Sequence, residues 1–270
     1  MMAELPWGVT LVLAPNPSLM TGPGTNTFVV GAAPEGCAVI DPGPDDVGHL
    51  VAVARAAGER GGARFILITH GHPDHVMGAA RLHDLTGAPV VAWSREGVPI
   101  ADRELTDGEH LLTGAGTLRA IYTPGHRFDH VCFLLEETGT LFAGDLMAGE
   151  GTVVIMPPEG DMRAYLDSLR RLRAQPPVLI LPAHGPAIRD PAARLQEYID
   201  HRLLREQQII ACLAQGSATI AELVAAIYVD VDVRLHPVAA GSVLAHLQKL
   251  ASEGRAVVRS DGRWELAGQL

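Results

Sequence analysis

The sequence predicts an α/β layered architecture followed by a small winged-helix-like module. Over residues 1–191, short β-rich runs alternate with helical segments, and glycine or proline marks the boundaries. This order of strands and helices is typical of mixed layers packed around a shared core. Over residues 216–270 the order changes to two helices and a hairpin, which is the arrangement of a winged helix.

The strands and helices of the first region are placed by periodicity and by their end signals. The wholly apolar run at 65–69 predicts a buried strand that ends at a loop. The helix at 45–58 is expected to begin after an N-cap at Asp45 or Asp46 and to end at Gly58. The remaining predicted strands are 8–15, 26–31, 37–44, 89–93, 118–123, 130–137, 140–145 and 178–183, and the remaining helices are 75–87 and 162–174.

The C-terminal part begins with a long amphipathic helix that is expected to run from Ala192 to a turn at Gly216. Two shorter helices and a hairpin follow, and Asp261 with Gly262 is a strong turn signal for that hairpin. The resulting domains are a catalytic domain at 1–191, a connecting helix at 192–215 and a winged-helix-like domain at 216–270.

Composition and charge exclude several classes of protein. With 47% hydrophobic and 19% charged residues, the 270-residue chain has the composition of an ordinary globular protein. It contains neither the run of about 18 apolar residues that a membrane helix needs nor a secretory leader, so we expect a cytoplasmic protein with no membrane partner. The net charge of −10 disfavours non-specific binding to nucleic acid. Three widely spaced cysteines indicate neither a disulfide framework nor a thiolate zinc site.

A dense group of metal-binding side chains follows the predicted strand at 65–69. The segment HGHPDH places His70, His72, Asp74 and His75 within six residues. Such a loop brings four ligands together only if it folds back around a common point. Imidazole nitrogens and a carboxylate, without thiolates, match zinc or a similar divalent metal.

Three further candidate ligands each follow an apolar, strand-like run: His126 in TPGH, Asp145 in AGD and His184 in PAHG. A single histidine at a strand end is more often a surface or core residue than a ligand. The combination of HxHxDH with three more candidates at separate strand ends is what favours a metal site, because it puts every candidate at the edge of a β layer.

This ordered set resembles the metallo-β-lactamase superfamily. The resemblance implies a four-layer αββα sandwich with the metals at one edge of its two sheets, and it implies a metal-dependent hydrolase. Carried over by position, it also implies the role of each ligand. His70, His72 and His126 would hold a first metal, Asp74, His75 and His184 would hold a second, and Asp145 would bridge them.

The implied cofactor is a pair of Zn²⁺ ions, although other divalent metals are compatible with these ligands. Two metals about 3.5 to 4 Å apart lower the pKa of a shared water toward about 7 and so provide a metal-bound hydroxide at neutral pH. Asp74 is expected to be catalytic as well as a ligand, because its carboxylate can orient that hydroxide and receive a proton.

Segments outside the ligand set resemble one branch of the superfamily, the β-lactamase-like protein 2 branch with its bacterial relatives. These segments are NPSLMTGPGTNTFVVG at 16–31, GEGT at 149–152, HRLLREQQII at 201–210 and the winged-helix-like tail. The resemblance implies an endoribonuclease that cleaves phosphodiester bonds in single-stranded RNA. The sequence departs from this branch at Arg127 and Phe128, where small or acidic residues are more usual.

Three functions therefore stay open. The resemblance spans nearly the whole chain and favours cleavage of single-stranded RNA, which is the preferred function. The net charge mildly favours the alternative, a small ester or thioester, as in glyoxalase II (hydroxyacylglutathione hydrolase). A non-catalytic nucleic-acid-binding regulator is disfavoured by the complete ligand set. Duplex DNA is disfavoured because residues 216–270 carry five basic against six acidic side chains. His130 is either a partner that orients a ligand or a buried structural histidine.

Overall fold

The computed structural model describes residues 5–268. This part of the chain folds into two compact units. The first unit contains the residues up to Thr123, Asp129–Val153 and Gln175–Ala192. The second unit contains Pro124–Phe128, Val154–Ala174 and the residues from Ala193 onward.

The first unit is built on two mixed β-sheets. One sheet has six strands in sequence order: β1 (Val9–Leu13), β2 (Asn26–Ala32), β3 (Gly36–Ile40), β4 (Ala63–Leu67), β5 (Val90–Ala92) and β6 (Arg103–Glu104). The other has five: β7 (His110–Thr113), β8 (Gly116–Tyr122), β9 (Val131–Leu135), β10 (Thr140–Phe142) and β11 (Leu179–Leu181), in the order β11-β10-β9-β8-β7.

Strands β3, β4 and β5 run parallel to one another. The sequence of β3 shows how such a strand is buried on both of its faces. Ala38 and Ile40 point into a core cluster that also contains Leu118, Phe133 and Phe142 of the second sheet. The alternate residues Cys37 and Val39 belong to a second cluster on the opposite face. This period of two explains why the strand is wholly apolar.

Helices of the first unit cover that opposite face of the first sheet. Leu50 and Val53 of the first helix and Leu82 of the third pack in the same cluster as Val39. Asp46 is the N-cap of the first helix, because its Oδ1 accepts from the backbone N–H of His49 at 2.8 Å. The three helices are α1 (Val47–Gly58), α2 (Pro73–Val76) and α3 (Ala79–Thr86).

The single helix expected at 75–87 is divided between α2 and α3 by Gly78. A side chain at Gly78 would lie within 3 Å of Leu50 and of the Pro44 carbonyl, so the chain passes too close to α1 for any other residue. The sequence pattern also missed the short strands β6 and β7, because two to four residues carry too little periodicity to be recognised.

The second unit contains the helix–helix–hairpin order that the tail predicts. Leu213, Leu223, Leu247 and Trp264 share its core. Helix α6 begins with a complete capping box, because the Thr219 and Glu222 side chains each bond the other's backbone N–H. The elements are α4 (Met162–Ala174), α5 (Pro191–Leu213), α6 (Ile220–Ile227), a 3₁₀ turn (Val233–Leu235), α7 (His236–Ser252), β12 (Ala256–Val258) and β13 (Trp264–Leu266). Within the described chain, no helix combines the length and the apolar character that crossing a membrane requires.

A buried ionic group joins α5 to α7 inside the second unit. Glu206 accepts from Lys249 Nζ at 2.7 Å, and the His246 ring lies 3.7 Å from the same carboxylate oxygen. Burial raises the pKa of Glu206, but its interactions with His246 and Lys249 outweigh burial and lower the pKa to about 2. The carboxylate is therefore charged in the folded protein at neutral pH, and it balances a buried cation.

Replacing Glu206 by glutamine should lower the free energy of unfolding at neutral pH by about 2 kcal/mol, because Lys249 loses the more buried of its two carboxylate partners and keeps only Glu253, at 2.9 Å. The stabilisation by the carboxylate is present above its usual pKa of 4.5 and is lost as the pH falls toward about 2. Urea unfolding of the metal-free protein should therefore show a smaller difference between wild type and Glu206→Gln at about pH 3 than at about pH 7.

A matched control is Glu197→Gln on the same helix, whose carboxylate pairs with Arg194 at the surface. That change should cost less than about 1 kcal/mol. Equal destabilisation by the two substitutions would contradict the role given to Glu206.

Candidate metal centre

The parallel strands β3 and β4 bring two polar segments together at one edge of the first sheet. Asp41 directly follows β3. Thr69 and His70 follow β4 after one intervening residue, Ile68. Asp41 Oδ1 accepts from the backbone N–H of Thr69 at 2.8 Å, and Asp41 Oδ2 accepts from the Thr69 hydroxyl at 2.8 Å. The start of the HGHPDH loop is thus tied to the end of the neighbouring strand.

The structure brings all seven predicted ligands into two groups. In each group, one candidate ligand atom per residue lies within 4.8 Å of the others. The groups are His70, His72, His126 and Asp145, and Asp74, His75 and His184.

The Asp145 carboxylate lies close to members of the second group. Its Oδ1 is 3.6 Å from His75 Nε2 and 3.3 Å from His184 Nε2. Asp74 Oδ2 in turn lies 3.2 Å from His184 Nε2. One carboxylate that belongs to the first group and reaches the second is what a ligand bridging two metals requires.

The ring atoms that face the centre suit a metal. His75 is fully buried, and its Nε2 has no hydrogen-bond partner among residues 5–268. A buried polar atom without a partner is costly unless a ligand satisfies it. Imidazole nitrogens together with two carboxylates form a donor set for zinc or a related divalent ion. The residues present therefore fit a metal pair.

The opposite ring nitrogens are held by acceptors that set the tautomer. His75 Nδ1 donates to Asp41 Oδ2 at 2.8 Å, and His126 Nδ1 donates to the Val154 carbonyl at 2.8 Å. Because a carboxylate or a carbonyl only accepts, each Nδ1 carries the proton and each Nε2 keeps its lone pair for a metal. His184 Nδ1 faces the Gly24 carbonyl at 3.4 Å in the same sense.

The electrostatics of the centre favour cations. Burial lowers the pKa of His75, but the carboxylates of Asp41 and Asp145 outweigh burial and raise that pKa well above its ordinary value. Burial also lowers the pKa of His184, and Asp74 and Asp145 raise it above the ordinary value. A site that stabilises protonated imidazoles also stabilises a divalent cation in the place of those protons.

Comparison with known proteins identifies the family. Residues 20–184 match the model of the metallo-β-lactamase superfamily. A β-lactamase-like protein 2 homolog from Drosophila melanogaster is 34% identical over 267 residues, covering 92% of this chain and 89% of that protein. The chain belongs to the metallo-β-lactamase superfamily. It is accordingly a metal-dependent hydrolase, from a superfamily that binds divalent metals, commonly zinc.

Further comparisons of this metallo-β-lactamase family member include its C-terminal region. Residues 219–264 match the β-lactamase-associated winged-helix domain, which confirms the predicted module. A protein named atrochrysone carboxyl ACP thioesterase from Aspergillus chevalieri is 33% identical over 277 residues, covering 96% of this chain and 87% of that protein. A β-lactamase domain protein from Burkholderia ambifaria shares the fold, with a TM-score of 0.83 at 22% identity, over 99% of this chain and 95% of that structure.

Sequence reasoning missed two aspartates that support the ligand loops of this metallo-β-lactamase domain. Asp41 adopts a φ of 51°, which is uncommon for a residue other than glycine, and it holds His75 and Thr69. Asp129 Oδ2 accepts from the backbone N–H of Gly71, between two candidate ligands, at 2.8 Å. Asp41 directly follows an apolar run, but an isolated aspartate there is also an ordinary turn residue, so this position alone does not single it out.

His130 is a buried histidine that positions a ligand loop. Its Nε2 accepts from the backbone N–H of Asp145 at 3.1 Å, so its Nδ1 donates to the Thr123 hydroxyl at 2.8 Å. Of the two interpretations left open by the sequence, the contact with Asp145 supports the orienting one. The ring acts on the backbone of the candidate bridging ligand.

Replacing Asp41 by asparagine should weaken zinc binding by about 10- to 100-fold while the chain stays folded. An amide NH₂ opposite His75 Nδ1 moves the ring proton to Nε2, which is the atom that faces Asp145. In the other amide orientation, the NH₂ opposes the backbone N–H of Thr69. Zinc competition against a chelating indicator measures the affinity, and circular dichroism measures folding.

Asp45→Asn is the control for this prediction, because Asp45 pairs with Arg81 on the surface of the same unit. It should leave zinc affinity unchanged. Wild-type affinity in Asp41→Asn would rule out the proposed control of the His75 tautomer.

Proposed function

We propose that the two groups of side chains bind two zinc ions and that the enzyme hydrolyses carboxylic thioesters or esters. The chemistry of the segments around the ligands carries the choice of substrate. The ligand-bearing and neighbouring segments of the first unit, which are residues 14–25, 68–78, 143–152 and 182–188, contain no lysine or arginine. They offer no lysine or arginine side chain to the phosphates of a polyanionic substrate such as RNA, whose binding depends on contacts of that kind.

A relative named as an acyl-carrier-protein thioesterase supports the same substrate class, since the similarity covers 96% of this chain. Exposed apolar side chains in the segment 14–25 also support a thioester substrate. Leu19 and Met20 are exposed in a loop that returns to the centre at Thr25, which pairs with His184. An acyl group makes use of such a surface, whereas a phosphodiester backbone does not.

The residues of the centre divide the work of hydrolysis. Two zinc ions, when bound, supply a nucleophile from water at neutral pH and Lewis acidity toward the substrate carbonyl. Burial raises the pKa of Asp74, but the hydrogen bond with His184 and the charge of His75 outweigh burial and lower it. Asp74 is therefore ionised at neutral pH, and its side chain is 30% exposed. It orients the attacking water and takes up the proton that this water releases.

Endoribonuclease activity on single-stranded RNA is the second candidate. Similarity to the β-lactamase-like protein 2 homologs favours it, because it extends over 92% of the chain for the Drosophila melanogaster protein and 91% for the Caenorhabditis elegans protein. A metal pair held by the same residues would also supply Lewis acidity toward a phosphodiester, so the candidate ligands fit this reaction as well. The two candidates differ in substrate and share one centre.

His72→Ala and Asp145→Ala should each lower kcat/KM by at least about a hundredfold, because each removes a metal ligand that also organises the centre. Both variants should stay folded by circular dichroism, since the loops lie at the edge of the sheets. Zinc content by mass spectrometry should fall in parallel. His110→Ala, an exposed histidine on β7, is the control and should keep wild-type rates and zinc.

Direct assays separate the two candidates. Zinc-loaded enzyme is given an acyl thioester of N-acetylcysteamine, and separately an end-labelled single-stranded oligoribonucleotide, with His72→Ala as the blank for each. We expect thioester hydrolysis that depends on His72. Cleavage of the RNA alone would reject the thioesterase proposal and support the nuclease, and no turnover of either substrate would reject both.

A further inference from the structure

Two segments of the second unit form a small platform around His126. They are residues 124–128 and 154–160, and we call them the His126 ledge. His126 Nδ1 donates to the Val154 carbonyl at 2.8 Å, and the backbone N–H of Phe128 donates to the Glu159 carbonyl at 3.1 Å. These bonds join the segments at both ends, so the ledge is a defined surface beside a candidate metal ligand.

The ledge exposes two large apolar side chains. Phe128 is 52% exposed and Met156 is 45% exposed. Scattered apolar residues on a protein surface need no explanation. Phe128 lies two residues after His126 in the chain, and Met156 lies two residues after Val154, whose carbonyl holds the His126 ring. Both therefore belong to the segments that hold this candidate ligand.

The one arginine on the ledge has its charge matched. Arg127 Nη1 lies 2.8 Å from Glu159 Oε2. An apolar platform with its charges balanced in this way attracts a neutral, apolar group more strongly than a phosphate.

The backbone beneath the ledge is tightly packed. A side chain at Gly160 would lie 2.7 Å from the carbonyl oxygens of both Gly125 and His126, so only glycine allows the two segments to approach. Met156 lies against Gly241 of α7, where an added Cβ would be 3.0 Å from the Met156 methyl group. The absence of a side chain at Gly241 leaves the space in which Met156 sits.

We propose that the His126 ledge binds the apolar part of the substrate acyl group, and that Phe128 and Met156 are specificity-determining residues that favour medium-chain or aromatic acyl thioesters over acetyl thioesters. The proposal rests on the proposed function, since it assumes that His126 lies beside the reacting bond. A contact of this kind discriminates between acyl groups by their apolar area, as hydrophobic pockets do.

Hydrolysis of a matched substrate series tests the proposal. Zinc-loaded wild type, Phe128→Ser and Phe128→Ser/Met156→Ser are assayed with acetyl, hexanoyl and benzoyl thioesters of N-acetylcysteamine. We expect each variant to raise KM for the hexanoyl and benzoyl thioesters by about tenfold, with kcat within about twofold and acetyl hydrolysis unchanged. Phe128→Leu should restore most of the preference for the longer acyl group. Leu204→Ser, an exposed leucine on α5, should change nothing.

Binding of the product acids separates failure of the ledge from failure of the proposed function. Calorimetric titration of zinc-loaded enzyme with acetate, hexanoate and benzoate should show affinity that rises with apolar area in wild type and not in Phe128→Ser. Zinc content and circular dichroism confirm that each variant is intact. If thioesters are not hydrolysed but this trend in affinity appears, the ledge stands and the thioesterase proposal fails. Equal affinity of wild type for the three acids, or an unchanged trend in the double variant, would overturn the ledge.

Discussion

The geometry of the metal centre depends on one buried carboxylate, that of Asp41. It receives hydrogen bonds from the Thr69 backbone, from the Thr69 hydroxyl and from the ring of His75. These contacts exist because β3 and β4 are parallel neighbours, so the residues that follow them emerge side by side. Packing of the layered core fixes the register of β3 and β4, and this register places Asp41 beside Thr69 and His75.

The other ligands are supported in the same manner, by groups that belong to the scaffold. Val154 and Gly24 place carbonyl oxygens behind His126 and His184, and His130 holds the backbone of Asp145. Ligands that are oriented before a metal arrives lose little conformational freedom on binding it. These carbonyl and imidazole groups would therefore contribute to metal affinity by orienting the candidate ligands, without being ligands themselves.

The candidate ligands could be recognised in the sequence and the residues that support them could not, for a physical reason. His70, His72, Asp74 and His75 stand in one short motif, so their spacing alone signals a shared purpose. Asp41 is an isolated aspartate whose role arises only when two strands pair. The same limit applies to Gly78, where Leu50 and the Pro44 carbonyl leave no room for a side chain, a contact that leaves no trace in the periodicity. Family membership and the winged-helix module were predictable because their signals span whole segments.

The second unit unites parts of the chain that the sequence keeps apart. Helix α4 and the His126 segment belong to the same unit as the C-terminal helices, and Arg163 of α4 bonds Ser252 and pairs with Glu253 near the end of α7. The C-terminal module is therefore not an independent domain that could be deleted or exchanged without affecting the rest of the second unit. Truncation or exchange of the module would remove the contact between Gly241 and Met156, and with it part of the packing around the segments that hold His126, a candidate ligand.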